Sequence, residues 1–197
     1  MKFKEYLNES ISDPDEIAFL IKKDCKPYLK QLNKLNFSNY NLLRSGRRNV
    51  GYFKKLSVRM DRRPIDTPMD IHNWLDNWFH KKFGIKARSQ TLFCTSDISF
   101  AGSYGSSIYY IFPISNFEII WSNIVKDIYN QDSFRMGLEI FQERFLAGIR
   151  PNSYGKGDLQ GALKSGNEIM LYCKEYYVLD DDGMNTELIL KGLSDNI

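Results

Sequence analysis

Between Thr91 and Trp121 the chain alternates short β-like runs with turns, and this alternation limits the fold more than any other feature. The runs are Thr91–Thr95, Ile108–Phe112 and Phe117–Trp121. Tyr40–Arg44 reads as a further short strand, Val50–Arg59 contains another, and Glu168–Cys173 and Tyr176–Leu179 are candidates for a pair. Helical patterns flank these runs. Asp13 caps the first, Pro14 suits its opening position and Glu16 completes a capping box. Ile17, Leu20, Ile21, Cys25, Tyr28, Leu29 and Leu32 then recur at helical spacing, with Pro27 expected to kink the helix or divide it. A second helix starts after Asp66 or Thr67 and Pro68, buries Ile71, Trp74, Leu75, Trp78 and Phe79, and stops at Gly84. Ser122–Asn130 and Ser133–Gly148 also carry helical patterns, and a glycine-rich loop over 152–157 precedes a short helix. The pattern predicts an α+β fold, with an N-terminal leader and helical appendage over residues 1–36 and one domain over 37–197.

The chain of 197 residues is long enough to bury roughly 70% of its unfolded surface without a covalent staple. Its 13 Phe, 12 Tyr and 3 Trp favour a sheet-containing fold with a ring-lined cleft. Hydrophobic content of 43% and charged content of 26% exclude wholesale disorder, and no apolar run approaches the ~18 residues of a membrane span. Cys25, Cys94 and Cys173 are odd in number and far apart, which fits small buried hydrophobes in a reducing, cytoplasmic setting. With His72 and His80 as the only histidines, they suggest no metal constellation. MKFKEYLNES lacks the apolar region of a secretory signal, so export by that route is not expected.

Three short segments carry candidate chemistry. Leu42-Leu43-Arg44-Ser45-Gly46 places an arginine at a strand end before a turn. Phe93-Cys94-Thr95-Ser96 is followed by Ala101 and Tyr104-Gly105. Gly166-Asn167-Glu168-Ile169-Met170-Leu171 opens an apolar strand with a glutamate. In this order the set resembles the Arg-Ser-Glu class of ADP-ribosyltransferases, the match running from Leu42 to Leu171 on some fifteen residues. The resemblance implies a split mixed or antiparallel sheet core, NAD as substrate without a metal, and transfer of ADP-ribose to a macromolecular acceptor, protein or nucleic acid, with release of nicotinamide.

The chemistry of that reaction suits these residue types. Loss of nicotinamide leaves an oxocarbenium-like ribose, whose positive charge a carboxylate stabilises; this is the role expected of Glu168. Arg44 would clamp the diphosphate or adjoining ribose through charge-assisted bonds, with Ser45, Gly46 and Thr95 beside the dinucleotide. Ser96 would orient Arg44 and Glu168 by hydrogen bonding. Tyr104, with Phe93 or Phe100, would stack on the nicotinamide. Three positions depart from the family pattern: Cys94 replaces the first serine, Ser45 replaces a glycine, and Gly166 stands where arginine-modifying members carry Gln or Glu. By the same resemblance Tyr154, Lys156, Asp158 and Gly166 would meet the acceptor.

Two readings from other classes stay open on the sequence. Arg44 to Arg63 holds eight basic residues against the single acid Asp61, which suits nucleic-acid binding; Lys54, Lys55, Arg59, Arg62 and Arg63 interleave with Tyr52 and Phe53. Within it, Arg62 and Arg63 either face the cleft of Arg44 or belong to a turn before the next helix. The opening nine residues, with Leu7-Asn8-Glu9, resemble the processed leaders of T4-like phage head proteins. That resemblance implies a phage protein acting in the host cytoplasm and packaged in the virion, with the head or scaffold as a partner. It equally admits a non-catalytic, head-associated protein of the same fold.

Overall fold

The structure is a computed structural model that describes residues 11–32, 35, 40–46, 50–65, 67–128, 137–148, 150–181 and 184–194. The proposed leader and the candidate cap Asp66 lie outside these residues. Among them, two four-stranded antiparallel sheets form the centre of an α+β molecule. The first sheet has the order β1–β4–β8–β2, from Leu43–Gly46, Ser107–Pro113, Glu175–Asp180 and Phe53–Ser57 respectively. The second has the order β3–β7–β5–β6, from Leu92–Cys94, Ile169–Tyr172, Glu118–Ser122 and Tyr154–Lys156.

β7 and β8 are separated only by Cys173 and Lys174, yet they enter different sheets and do not pair with each other. The sequence suggested a pair. Each strand is instead satisfied on both sides, β7 by β3 and β5, β8 by β4 and β2, which explains their nearly unbroken apolar character. The sheets also touch through one bridge, Leu43 opposite Thr95, whose amides and carbonyls exchange bonds of 2.7 and 2.9 Å.

Helices α1 (Pro14–Asp24) and α2 (Lys26–Leu32) divide beside Pro27, as expected. They are not an appendage. Ile17, Ile21, Cys25, Tyr28, Leu29 and Leu32 share one core with residues of both sheets, and α1 also packs on the C-terminal helix α9 (Met184–Ser194). Tyr28 is fully buried and its hydroxyl accepts the Leu42 amide at 3.1 Å, tying α2 to the segment that enters β1.

A second core lies under α3 (Met69–Phe83), which Gly84 ends in the left-handed conformation, φ 78°. Neither Thr67 nor Pro68 gives α3 a side-chain cap. Ile71, Leu75 and Phe79 are buried there, with Trp74 and Trp78 half-buried against α6 (Leu138–Ala147). The helix expected over Ser122–Asn130 is absent from its described part, residues 122–128. Ser122 closes β5, and its hydroxyl takes the amides of Ile124 and Val125 at 3.2 and 3.0 Å, so the side chain competes with the helical ladder. Four short helices complete the fold: α4 (Ala87–Gln90), α5 (Ile98–Gly102), α7 (Arg150–Ser153) and α8 (Leu159–Ser165).

Candidate active site

The two sheets meet at the bridge between Leu43 and Thr95, and a cavity of about 560 Å³ opens beside it. β1 contributes Arg44, Ser45 and Gly46 to its wall, and β3 contributes Phe93, Cys94 and Thr95. Phe100 and Tyr104 come from α5 and the turn after it, and Glu168 from the entrance to β7. The sequence nominated each of these except Cys94, and the fold brings them together from both sheets.

Phe93 is the centre of the arrangement. Alternation along β3 buries Leu92 and Cys94 and leaves Phe93 half-buried and facing the cavity. Arg44 donates through Nη1 to the Phe93 carbonyl at 2.9 Å. The guanidinium carbons of Arg62 and Arg88 lie 3.6 and 4.3 Å from the centre of the Phe93 ring. Three guanidiniums therefore surround one residue. Burial, with Arg88 and Arg44 adding their repulsion, lowers the pKa of Arg62 to about 10. No acid lies within ion-pair distance of Arg62 among the described residues, so the cluster is an electrostatic invitation to an anion.

Arg88 was not legible in advance. It is 6% exposed, and its Nη1 lies 3.4 Å from Oε1 of Glu168. Buried Asp76 fixes the backbone that carries it: Oδ1 accepts the amides of Arg88 and Ser89 at 2.7 and 3.1 Å, and Ser89 also donates its hydroxyl to the same carboxylate. His72 completes this cluster with Nε2 3.0 Å from the Ser89 hydroxyl and 3.5 Å from Asp76. One ring nitrogen meets both partners, and His72 also borders the cavity. Burial holds the His72 pKa below its ordinary value, and Arg88 and Arg62 push the same way.

Glu168 is the other pole of the cavity. Burial raises its carboxyl to about 7; Asp127 acts in the same direction, while Arg88 and Arg62 oppose it. Its amide donates to the Lys126 carbonyl at 2.8 Å, which sets the 123–128 segment against the start of β7. Burial pushes the Cys94 thiol up to about 12, so it stays protonated and packs as an apolar group.

Ser96 does not perform the orienting task expected of it: it does not line the cavity, and its hydroxyl donates to the Leu163 carbonyl of α8. Thr95 takes that place. Its Oγ1 donates to the Gly166 carbonyl at 2.9 Å while its backbone bridges Leu43, linking the residues next to Arg44 to the turn before Glu168. Gly105 explains the small residue after Tyr104. A Cβ there would lie 2.7 Å from the Gly46 oxygen, so the chain passes β1 where no side chain fits.

The residues expected at the acceptor lie outside the cavity lining. Tyr154 is 5% exposed and packs against Trp78, Phe79 and Phe145 in the second core. Lys156 pairs with Glu118 at 2.8 Å, and Asp158 caps α8 through the Gly161 amide at 3.0 Å. Gly166 ends α8 in the left-handed region at φ 66°, a backbone requirement that glycine meets. None of the four lines the cavity.

The basic segment resolves into parts with different tasks. Arg44, Arg59, Arg62 and Arg63 all line the cavity, Lys55 pairs with Glu175 at 3.0 Å, and Arg59 pairs with Asp61 at 3.6 Å. Arg47 and Arg48 lie outside the described residues. Among the described residues, no group of three or more His, Cys, Asp or Glu could hold a metal, and no helix is long and apolar enough to cross a membrane. Comparison of the chain with protein-family models, with curated proteins and with solved structures gave no match.

Proposed function

We propose that this protein has an ADP-ribosyltransferase-like fold and transfers ADP-ribose from NAD to a macromolecular acceptor, with release of nicotinamide. The observation that carries the reading is the convergence of Arg44 and Glu168, from two different sheets, in one aromatic-lined cavity. The pairing of β3 with β7 sets Cys94 opposite Ile169, beside Thr95 and Glu168, and so supports the same reading.

Several features of the cavity support the reading. Arg44, Arg62 and Arg88 supply positive charge for a diphosphate, which carries two negative charges. Phe100 and Tyr104 offer ring surfaces for the nicotinamide or the adenine, while the Phe93 ring holds the Arg62 and Arg88 guanidiniums in place. In the reaction, the bond between ribose C1′ and the nicotinamide nitrogen breaks, and its electron pair leaves with the ring. Glu168, ionised, faces the positive charge that develops on the ribose, in a site where water screens little.

The test is nicotinamide release from labelled NAD, followed with and without a macromolecular acceptor. Glu168→Ala should lower the rate by about 10²-fold or more, the scale of removing one preorganised electrostatic contact. If wild type and Glu168→Ala are equally inert, the reading fails and a non-catalytic binding role replaces it.

A further inference from the structure

Among the described residues that line the cavity there are two acids, Glu168 and Asp127, and the transfer reaction as described uses only the first. Asp127 belongs to the segment that follows β5. Its neighbour Lys126 receives the Glu168 amide at 2.8 Å and pairs its ammonium with Asp97 at 3.3 Å, so both sides of the segment are anchored. Tyr104 donates its hydroxyl to Oδ2 of Asp127. A second carboxyl is therefore held beside Glu168, at the edge of a cavity whose other charged groups are arginines.

We propose that Asp127 takes the proton from the acceptor, and that the acceptor group is an uncharged hydroxyl. The inference rests on the ADP-ribosyl transfer reading and specifies its second half. As nicotinamide leaves with the electron pair of the C1′–N bond, the acceptor oxygen forms a bond to C1′. The proton of the acceptor passes to a carboxylate oxygen of Asp127 and from there to solvent. Atoms and charge balance with no further reagent.

The wall of the cavity selects among nucleophiles. Arg44, Arg59, Arg62, Arg63 and Arg88 all border it. A guanidinium or an ammonium acceptor would approach this wall as a like charge, which weakens binding. A carboxylate acceptor has no proton to lose and would meet Asp127 as a like charge. A thiol ionises near pH 8.5 and needs little help. A hydroxyl is neutral, suffers no repulsion from the arginines, and must lose a proton as it reacts, which is the service a positioned carboxylate provides.

The experiment supplies the intact protein with labelled NAD and, in parallel, methanol, N-acetylserinamide or agmatine, and separates the products. The two hydroxyl compounds should be ADP-ribosylated and agmatine should not. Asp127→Asn, which keeps the shape of the side chain, should cut transfer to the hydroxyl compounds by about 10²-fold. Azide carries no proton to remove, so it should restore nicotinamide release to Asp127→Ala with ADP-ribosyl azide as product, an effect a merely structural residue would not give. Preferred transfer to agmatine, a full rate in folded Asp127→Asn, or no azide rescue would each overturn the inference. Absence of nicotinamide release by wild type would instead overturn the transfer reading beneath it.

Discussion

Replacing Arg88 with methionine tests the electrostatics of the cavity directly. Arg88 holds Nη1 3.4 Å from Oε1 of Glu168, and the carboxyl titrates at about 7 because burial outweighs that attraction. Near neutral pH the ionised Glu168 that the proposed transfer needs is therefore only partly populated. At an effective dielectric of about 20, two charges 3.4 Å apart attract by about 5 kcal/mol, which sets a ceiling on the effect of the substitution. Water entering the vacated space reduces it, and an opposite charge at this range shifts a carboxyl by about one to three pH units. The midpoint for nicotinamide release should rise from about 7 in wild type to about 8–10 in Arg88→Met. At pH 7 the ionised fraction would drop to about a tenth or less, and the rate with it. Arg88→Lys keeps a charge and should move the midpoint by less. The assay is the initial rate of NAD cleavage from pH 5 to 10, with thermal melts to show that each variant is folded. A simple packing defect would scale the whole profile down without moving it. An unmoved midpoint in folded Arg88→Met would refute the argument.

Other substitutions separate the remaining claims. Since the folded pKa of Glu168 lies above its unfolded value of 4.5, the group's contribution to stability is full below about pH 4.5 and is lost as pH rises to about 7. Glu168→Gln should therefore gain thermal stability relative to wild type between pH 5 and pH 8, as melting curves at both ends would show. Tyr154→Ala should cost about 3–5 kcal/mol in denaturant titration, as truncation of a core aromatic does; unchanged stability with weaker acceptor binding would return it to the acceptor site. Gly105→Ala places a Cβ 2.7 Å from the Gly46 oxygen and should lower both melting temperature and NAD cleavage. Gly102 lies in α5, where an added Cβ would meet only Cδ1 of Ile108 at 3.8 Å, so Gly102→Ala should leave both intact or raise the melting temperature slightly.

Much of the fold could be read from local pattern, because strands and amphipathic helices carry their period in the sequence. The runs around β3, β4 and β5, the break at Pro27 and the stop at Gly84 are of this kind. What failed depended on partners that period does not encode. Residues 122–128 have a helical pattern, but the Ser122 hydroxyl claims their amides. β6 is three residues long with a central glycine and exists through its pairing with β5. The site was legible where a motif fixes the backbone, at Arg44, Thr95, Tyr104-Gly105 and Glu168. It was not legible at Arg88, an isolated arginine in a basic chain, whose meaning comes from Asp76 below it and Phe93 beside it. The burial of Tyr154 was hidden for a related reason: a place in the chain order does not say which face a loop presents, and Tyr154 faces the core.

The register of the first sheet governs how the protein comes to exist. Phe53 pairs with Leu179 and Leu56 with Tyr176, so β2 remains without its neighbour until more than a hundred further residues have been made. β1 can join β4 earlier, but β4 needs β8 to complete its ladder. Pairings this distant in sequence demand loop closure before they return any contact energy, which makes folding slow. Until β8 arrives, β2 and β4 present open edges to other chains, the condition under which nascent sheets aggregate. Synthesis delivers β8 after all three of the strands beside it in this sheet, so the sheet that carries Arg44 is completed only after every residue lining the cavity has been made.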